Sequence, residues 1–438
     1  AIRTIENNVI GTGIRLQAQV RMQRGGKLDQ GINDRVEEGW ADWCRADSCH
    51  TAGRLSFAEI ERLAVASMAE SGEVFIRIVR APFGDSRVPI ALEVIEADLL
   101  DETKDDYGIR GGGRGGEWRM GVQINEWGRP LNYAFLTRHP GDIRAAGSRD
   151  HMIVPAEDVI HLMLCQRPSQ TRGVTWFASA IKRLHHLAGY EEAEVVRARA
   201  SSSLMGFVTS PEGELFGEEV QDGERVTSFE PGVFKYLNPG ETVSVPTLDA
   251  PDGQFEPFLR AMLRAMAAGI GVAYESISRD YSQTNYSSSR LSLLEERENW
   301  KALQQMVIRN LHTRVYEAWL DAAVSVGELP FPDYQQNRRR YQAARWMPRG
   351  WAWVDPSREI EANKMAVRCG FTTQAQVVAE QGGDLEELLL ARKAELDRSE
   401  ELGIKLETDP ADDMTGGAPE MPKPAKSQTP ATVEGSTT

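Results

Sequence analysis

The chain has 438 residues, 41% of them hydrophobic and 26% charged, an ordinary globular balance with room for two or three domains and sizeable cores. Fifty Lys and Arg against 65 Asp and Glu leave a net charge of −15, which repels a polyanion and excludes a protein that grips nucleic acid over a broad basic face. No apolar run of about 18 residues suggests a membrane-spanning helix, and no secretory signal is apparent. The chain opens on Ala1 rather than Met, which points to a processed chain or a fragment.

In chain order, residues 4–17 (TIENNVIGTGIRLQ) are predicted as a β-like run broken by Gly11 and Gly13. A short amphipathic helix follows over 32–44. A better one spans 56–70: Ser56 is its N-cap, Glu59 completes a capping box, and Ile60, Leu63, Ala64 and Met68 fall at helical spacing. Strands are expected at 73–80, 90–95, 121–125, 131–136 and 158–164. The first of them, EVFIRIVR, has apolar residues on both faces, as a strand covered on both sides would. The GGGRGG run at 111–116 lacks the order of a nucleotide-binding loop and reads as a surface loop.

From Val174 the pattern turns helical. If 174–203 is one helix it is roughly 45 Å long, more than a compact domain needs but natural for a spine within an oligomer. Short strands are predicted at 207–210, 232–237 and 242–245. A helix over 254–270 carries the apolar stripe Phe255, Phe258, Leu259, Met262, Leu263 and Met266. The polar stretch 278–289 has no periodicity and reads as a loop. A third long helix is expected over 290–326, then a basic patch at Arg338, Arg339 and Arg340, a strand-like WAWV at 351–354, a helix-rich stretch over 355–402, and a disordered tail from Glu407.

The search for chemistry finds no converging groups. No nucleophile elbow, HExxH, Walker A loop or kinase set is present. Four scattered cysteines (Cys44, Cys49, Cys165 and Cys369) suit a reducing compartment. Cys44-x4-Cys49-His50 would be half a zinc site with no second half, so packed thiols are the plainer reading, and no metal or cofactor is expected. His185 and His186 project about 100° apart on a helix and cannot share a metal, so one partly buried and one exposed ring is expected. His161 reads as a satisfied core histidine. Glu295, Glu296 and Glu298 read as an exposed helix face, and the Arg338–Arg340 patch as surface charge, an intersubunit ion pair or a phosphate contact.

Three strings carry a resemblance. TIENNVIGTGIRL at the start, RDYSQTNYSSSR at 279–290 with its lead-in IGVAYESIS, and WVDPSREIEANKMAVRCGFTTQAQVVAEQGGDLEE near the end are similar to the opening, middle and C-terminal signatures of lambda-type tailed-phage portal proteins. The likeness covers nearly all of 1–405, and its middle motif is the most specific.

The resemblance implies an α+β portal fold and a structural role without catalysis. It implies an α/β wing at 1–173, stem helices at 174–205 and 254–277, a clip at 206–253, a tunnel loop at 278–289, a long kinked helix at 290–326, and a wing return and crown at 327–406. The DNA-channel loop would comprise Arg279, Asp280, Tyr281, Ser282, Gln283, Thr284, Asn285, Tyr286, Ser287, Ser288, Ser289 and Arg290. Twelve copies would ring one capsid vertex, assembled in the bacterial cytoplasm with major capsid and scaffold proteins and without a membrane. They would dock the terminase large subunit and later a head–tail adaptor, and pass double-stranded DNA without reading its sequence. A polar, weakly charged loop suits that passage. The alternatives from other classes are a capsid-associated adaptor without a channel and a metal-dependent nucleic-acid-processing enzyme.

Overall fold

The computed structural model describes residues 1–22, 26–106, 116–142, 150–202, 255–282, 285–351 and 356–404, together with four short strands between 207 and 244. The chain falls into two units, Ala1–Val354 and Asp355–Thr438.

The first unit opens with α1 (Ile2–Val9), β1 (Arg15–Ala18), α2 (Gln30–Trp43), α3 (Ala46–Cys49) and α4 (Phe57–Ser71). The β-like reading of 4–17 is thus corrected: its first half is helical and only its end is a strand. Ile2, Ile5 and Val9 are spaced three and four apart, and the last two are fully buried, which outweighs the β-branched content. Helix α4 begins where its capping box requires, with Glu59 accepting from the Ser56 amide at 2.8 Å. It ends at Gly72, whose φ of 94° and close approach to Val174 and Thr175 (a Cβ there would lie 2.3 Å from the Val174 carbonyl carbon) leave no room for a side chain.

Strands β2 (Glu73–Val79), β3 (Ala91–Ile95), β4 (Glu117–Arg119), β5 (Val122–Ile124), β6 (Pro130–Leu136), β7 (His151–Pro155) and β8 (Val159–Met163) follow. They form two antiparallel sheets, in the orders β3-β2-β8 and β4-β5-β6-β7. Strand β2 is covered on both faces. Val74, Ile76 and Ile78 join the main core with α4, while Phe75 enters a second core with Ile95, Tyr133, Phe135 and Val159. Strands β4 and β7 were not anticipated, the first being only three residues long and the second largely exposed.

His161 on β8 is a satisfied histidine: its Nε2 lies 2.9 Å from Glu73, and Glu73 also accepts from Arg172 Nε at 2.5 Å and the Gly173 amide at 2.5 Å. Burial pushes the Glu73 carboxyl up, but these donors and the charges of His161 and Arg172 outweigh it and hold the group below its ordinary value.

A 3₁₀ turn at Trp176–Ser179, capped by Thr175, precedes α5 (Ile181–Ser202), so the helix expected from 174 starts at 181. Strand β9 (Phe207–Thr209) pairs antiparallel with β12 (Thr242–Ser244), and β10 (Val220–Gln221) with β11 (Glu224–Arg225). The strand expected at 232–237 lies outside the described residues, as do most of the GGGRGG run and the tail. Next come α6 (Phe255–Ile270), α7 (Tyr274–Ser278) and α8 (Tyr286–Val307). A π-helical turn at Ile308–His312 joins α8 to α9 (Thr313–Ser325). The helix starts four residues earlier than expected, because the tyrosine and serines after Asn285 wind into its first turn. Helix α10 (Tyr334–Tyr341) and β13 (Ala344–Met347) complete the unit, with β13 pairing antiparallel with β1. Trp351 is not in a strand, and the rest of WAWV lies outside the described residues.

The main core is aromatic at its centre: Trp40 lies 5.1–5.9 Å, ring to ring, from Trp43, Phe57, Tyr316, Trp319 and Trp346. Beside it sits a buried carboxylate. Glu61 of α4 accepts the Ile14 amide at 3.0 Å and lies 2.7 Å from His312 Nε2 in the π turn, with both side chains essentially inaccessible. One carboxylate thus joins the segment after α1, helix α4 and the α8–α9 junction.

The second unit contains α11 (Pro356–Arg368), α12 (Gln374–Glu380) and α13 (Leu385–Leu402). Thr373 caps α12 in a capping box with Gln376, and Asp384 caps α13 through the Glu386 and Glu387 amides.

The Glu61→Ala substitution strands the Ile14 amide and the His312 ring in the core. We expect it to cost about 3 kcal/mol in chemical denaturation, and Glu61→Gln, which keeps an acceptor, to cost less.

Candidate functional site

Helices α5 and α6 pack together around Leu187 and Met266, backed by Leu259, Met262 and Leu263. At one end the Ser179 hydroxyl donates to the Gly269 carbonyl at 2.7 Å, and a Cβ at Gly269 would lie 2.7 Å from that hydroxyl. Further along, the Tyr190 ring lies 4.5 Å from Phe258 and 5.8 Å from Phe255. The apolar stripe read on α6 is therefore partly used against α5. Helix α5 keeps a second stripe uncovered. At about 100° per residue Ile181, Leu184, Ala188 and Val195 fall within an arc of about 60°, and Ile181, Leu184 and Val195 are 52%, 45% and 50% exposed. Leu291 and Leu294 on α8 are exposed as well. His185 and His186 are both exposed in this chain, which corrects the expectation of one partly buried ring.

The RDYSQTNYSSSR motif at 279–290 follows α7, and half of it is structural. Arg279 takes the left-handed conformation (φ 56°) that ends α7. Asp280 turns back: its Oδ1 accepts from the Ser282 hydroxyl at 2.6 Å and the Ser282 amide at 3.1 Å. Its Oδ2 accepts from the Tyr274 hydroxyl at 3.0 Å and lies 3.5 Å from the Arg260 guanidinium of α6. The Ser282 hydroxyl and amide, then Tyr274, then the Arg260 charge hold this carboxyl at about 2. Tyr281 and Asn285 are exposed. Gln283 and Thr284 lie outside the described residues, and Tyr286, Ser287, Ser288, Ser289 and Arg290 belong to α8. The segment between helices is thus 279–285, shorter than the 278–289 expected.

Sequence reasoning missed what holds α7. Glu296 of α8, read as part of an exposed face, is buried and accepts from the Ala273 amide at 3.0 Å and the Ser276 hydroxyl at 2.7 Å. Glu298 is exposed and pairs with Lys301 at 2.7 Å. The signal available was a carboxylate one helical turn from the apolar positions of α8, and that alone does not show which way the side chain points.

The remaining candidates are structural too. The Cys49 thiol donates to the Cys44 and Leu55 carbonyls, and His50 Nδ1 accepts the Arg54 and Leu55 amides. Burial pushes the Cys49 thiol up to about 12 and Cys44 well above its ordinary value, so neither is a ready thiolate ligand. Among the described residues no group of three His, Cys, Asp or Glu side chains forms a metal site. Arg338 pairs with Asp321, and Arg340 donates to the Arg21 carbonyl at 2.6 Å, so two of the three patch arginines are used within the chain.

Against known proteins, the sequence matches the family described as phage portal protein, lambda family, over residues 1–304. The probable portal protein of Halomonas phage phiHAP-1 is 29% identical over 410 residues, covering 92% of this chain and 77% of that protein. Portal protein B of Escherichia phage lambda is 21% identical over 443 residues, covering 92% and 81%. The fold is shared with a chain in the neck of an empty gene transfer agent (GTA) particle computed with C6 symmetry, at a TM-score of 0.50 and 14% identity, covering 87% of this chain and 88% of that one. Both relatives are named as portal proteins. The match over residues 1–304, more than half of the sequence, makes this α+β chain a member of the lambda family of phage portal proteins, a structural protein and not an enzyme.

Proposed function

We propose that copies of this chain close into a ring, twelve-fold as the family resemblance implies, at one vertex of a phage capsid, and that DNA is packaged and ejected through its centre. The observation that carries the reading is the α5 stripe of Ile181, Leu184 and Val195, exposed in a single chain. Apolar surface of that extent marks an interaction site, and a ring covers it by repeating one heterologous contact. The shared fold with a chain of a C6 neck is in keeping with rotational repetition.

In this reading residues 1–173 form the wing, α5 and α6 the stem, 206–253 the clip and 327–406 the wing return and crown. The clip meets the terminase large subunit and then the head–tail adaptor, and the wing meets capsid and scaffold proteins during assembly in the host cytoplasm. The segment 279–285 faces the DNA. Its exposed Tyr281, Ser282 and Asn285 are polar and uncharged, and the chain's charge of −15 opposes phosphate adhesion, so DNA slides without being held.

Placing Glu at both Leu184 and Val195 should abolish the ring while leaving a folded monomer with unchanged helix content, seen by mass photometry beside circular dichroism; rings persisting in that variant would remove α5 from the interface. Shortening residues 282–285 should leave rings intact but lower the yield of packaged genomes. A normal yield would take the segment out of the channel.

A further inference from the structure

Asp280 does more than its place in a polar loop requires. Its carboxylate engages three elements at once: Arg260 on α6 at 3.5 Å, the Tyr274 hydroxyl at the start of α7 at 3.0 Å, and the Ser282 amide and hydroxyl at 3.1 and 2.6 Å. The partners are themselves held. Arg260 is largely buried and also bonds Glu256 one turn away at 2.6 Å, and the Arg264 guanidinium lies 5.3 Å from the Tyr274 ring. The Ser278 hydroxyl donates to the Tyr274 carbonyl and accepts the Asp280 amide at 3.1 Å, and Glu296 fixes the other side of α7 through Ala273 and Ser276.

A solvent-facing loop residue that needs only to be hydrophilic has no use for four donors on two helices and a turn. We infer that Asp280 is a positioning residue: it clasps the root of the polar segment to α6 and α7, so that the segment leaves the stem in one direction and moves with α6 as a rigid extension. That the segment faces DNA rests on the function proposed above; the clasp itself does not. The charge that makes the clasp strong persists across the working range, because the same donors keep the carboxyl ionised down to about pH 2.

The test compares Asp280→Ala with the intact full-length assembly by hydrogen exchange, alongside packaged-genome retention in particles. The amides of Tyr281 and Ser282 should exchange roughly tenfold faster in the variant, with α5 and α9 unchanged. Tyr274→Phe, which removes one donor and keeps the ring, should give a smaller rise, and Asp280→Asn, which keeps an acceptor for Ser282 but loses the charge facing Arg260, an intermediate one. Should Asp280→Ala fail to assemble, the Tyr274→Phe exchange rise carries the decision. Unchanged exchange at Tyr281 and Ser282 overturns the clasp. Faster exchange with lowered genome retention supports both the clasp and the channel reading. Faster exchange with normal retention upholds the clasp and counts against the segment facing DNA.

Discussion

Apolar side chains on α5 have to be covered, and a single copy of this chain does not cover them. Ile181, Leu184 and Val195 each expose about half their surface, on a helix whose adjacent face is already packed against Met266 of α6 through Leu187. At about 25 cal/mol per Å² of apolar area removed from water, several such side chains shift the balance strongly toward association. Most other features make sense as support for that helix pair. Gly269 lets it close tightly at Ser179, Tyr190 staples its other end to Phe255 and Phe258, and Gly72 brings the 173–175 segment against the sheet and α4.

The chain positions that pair through a few carboxylates with several partners each, three of them buried and Asp280 partly exposed. Glu61 ties α4, the Ile14 amide and the π turn at His312, and Glu73 gathers His161, Arg172 and the Gly173 amide where the β3-β2-β8 sheet leads toward α5. Glu296 and Asp280 hold α7 from opposite sides. Isolated buried charges are costly, whereas fully bonded ones specify a single arrangement. The four carboxylates together fix how α1, α4, α6, α7 and α8 meet.

Much of this was legible in the residues. The capping box at Ser56 and Glu59 set the start of α4, the two apolar faces of residues 73–80 announced a strand covered on both sides, and the stripe from Phe255 to Met266 marked α6. Residues 1–9 were harder: β-branched residues argue for a strand locally, and the three- and four-residue spacing of Ile2, Ile5 and Val9 prevails only because α4 is there to pack against. The C-terminal boundary of the polar segment was overdrawn by four residues because Tyr and Ser have no strong helix preference and are carried into α8 by the stronger helix formers from Leu291 onward. Glu296, Arg260 and Tyr274 could not have been linked from sequence, since their partnerships depend on three helices meeting in space.

The most direct test of the ring is electron microscopy of the purified protein, with class averages viewed down any symmetry axis. The account predicts closed rings with a central hole wide enough for duplex DNA, roughly 20 Å or more. Compact monomers or dimers at high concentration would contradict it.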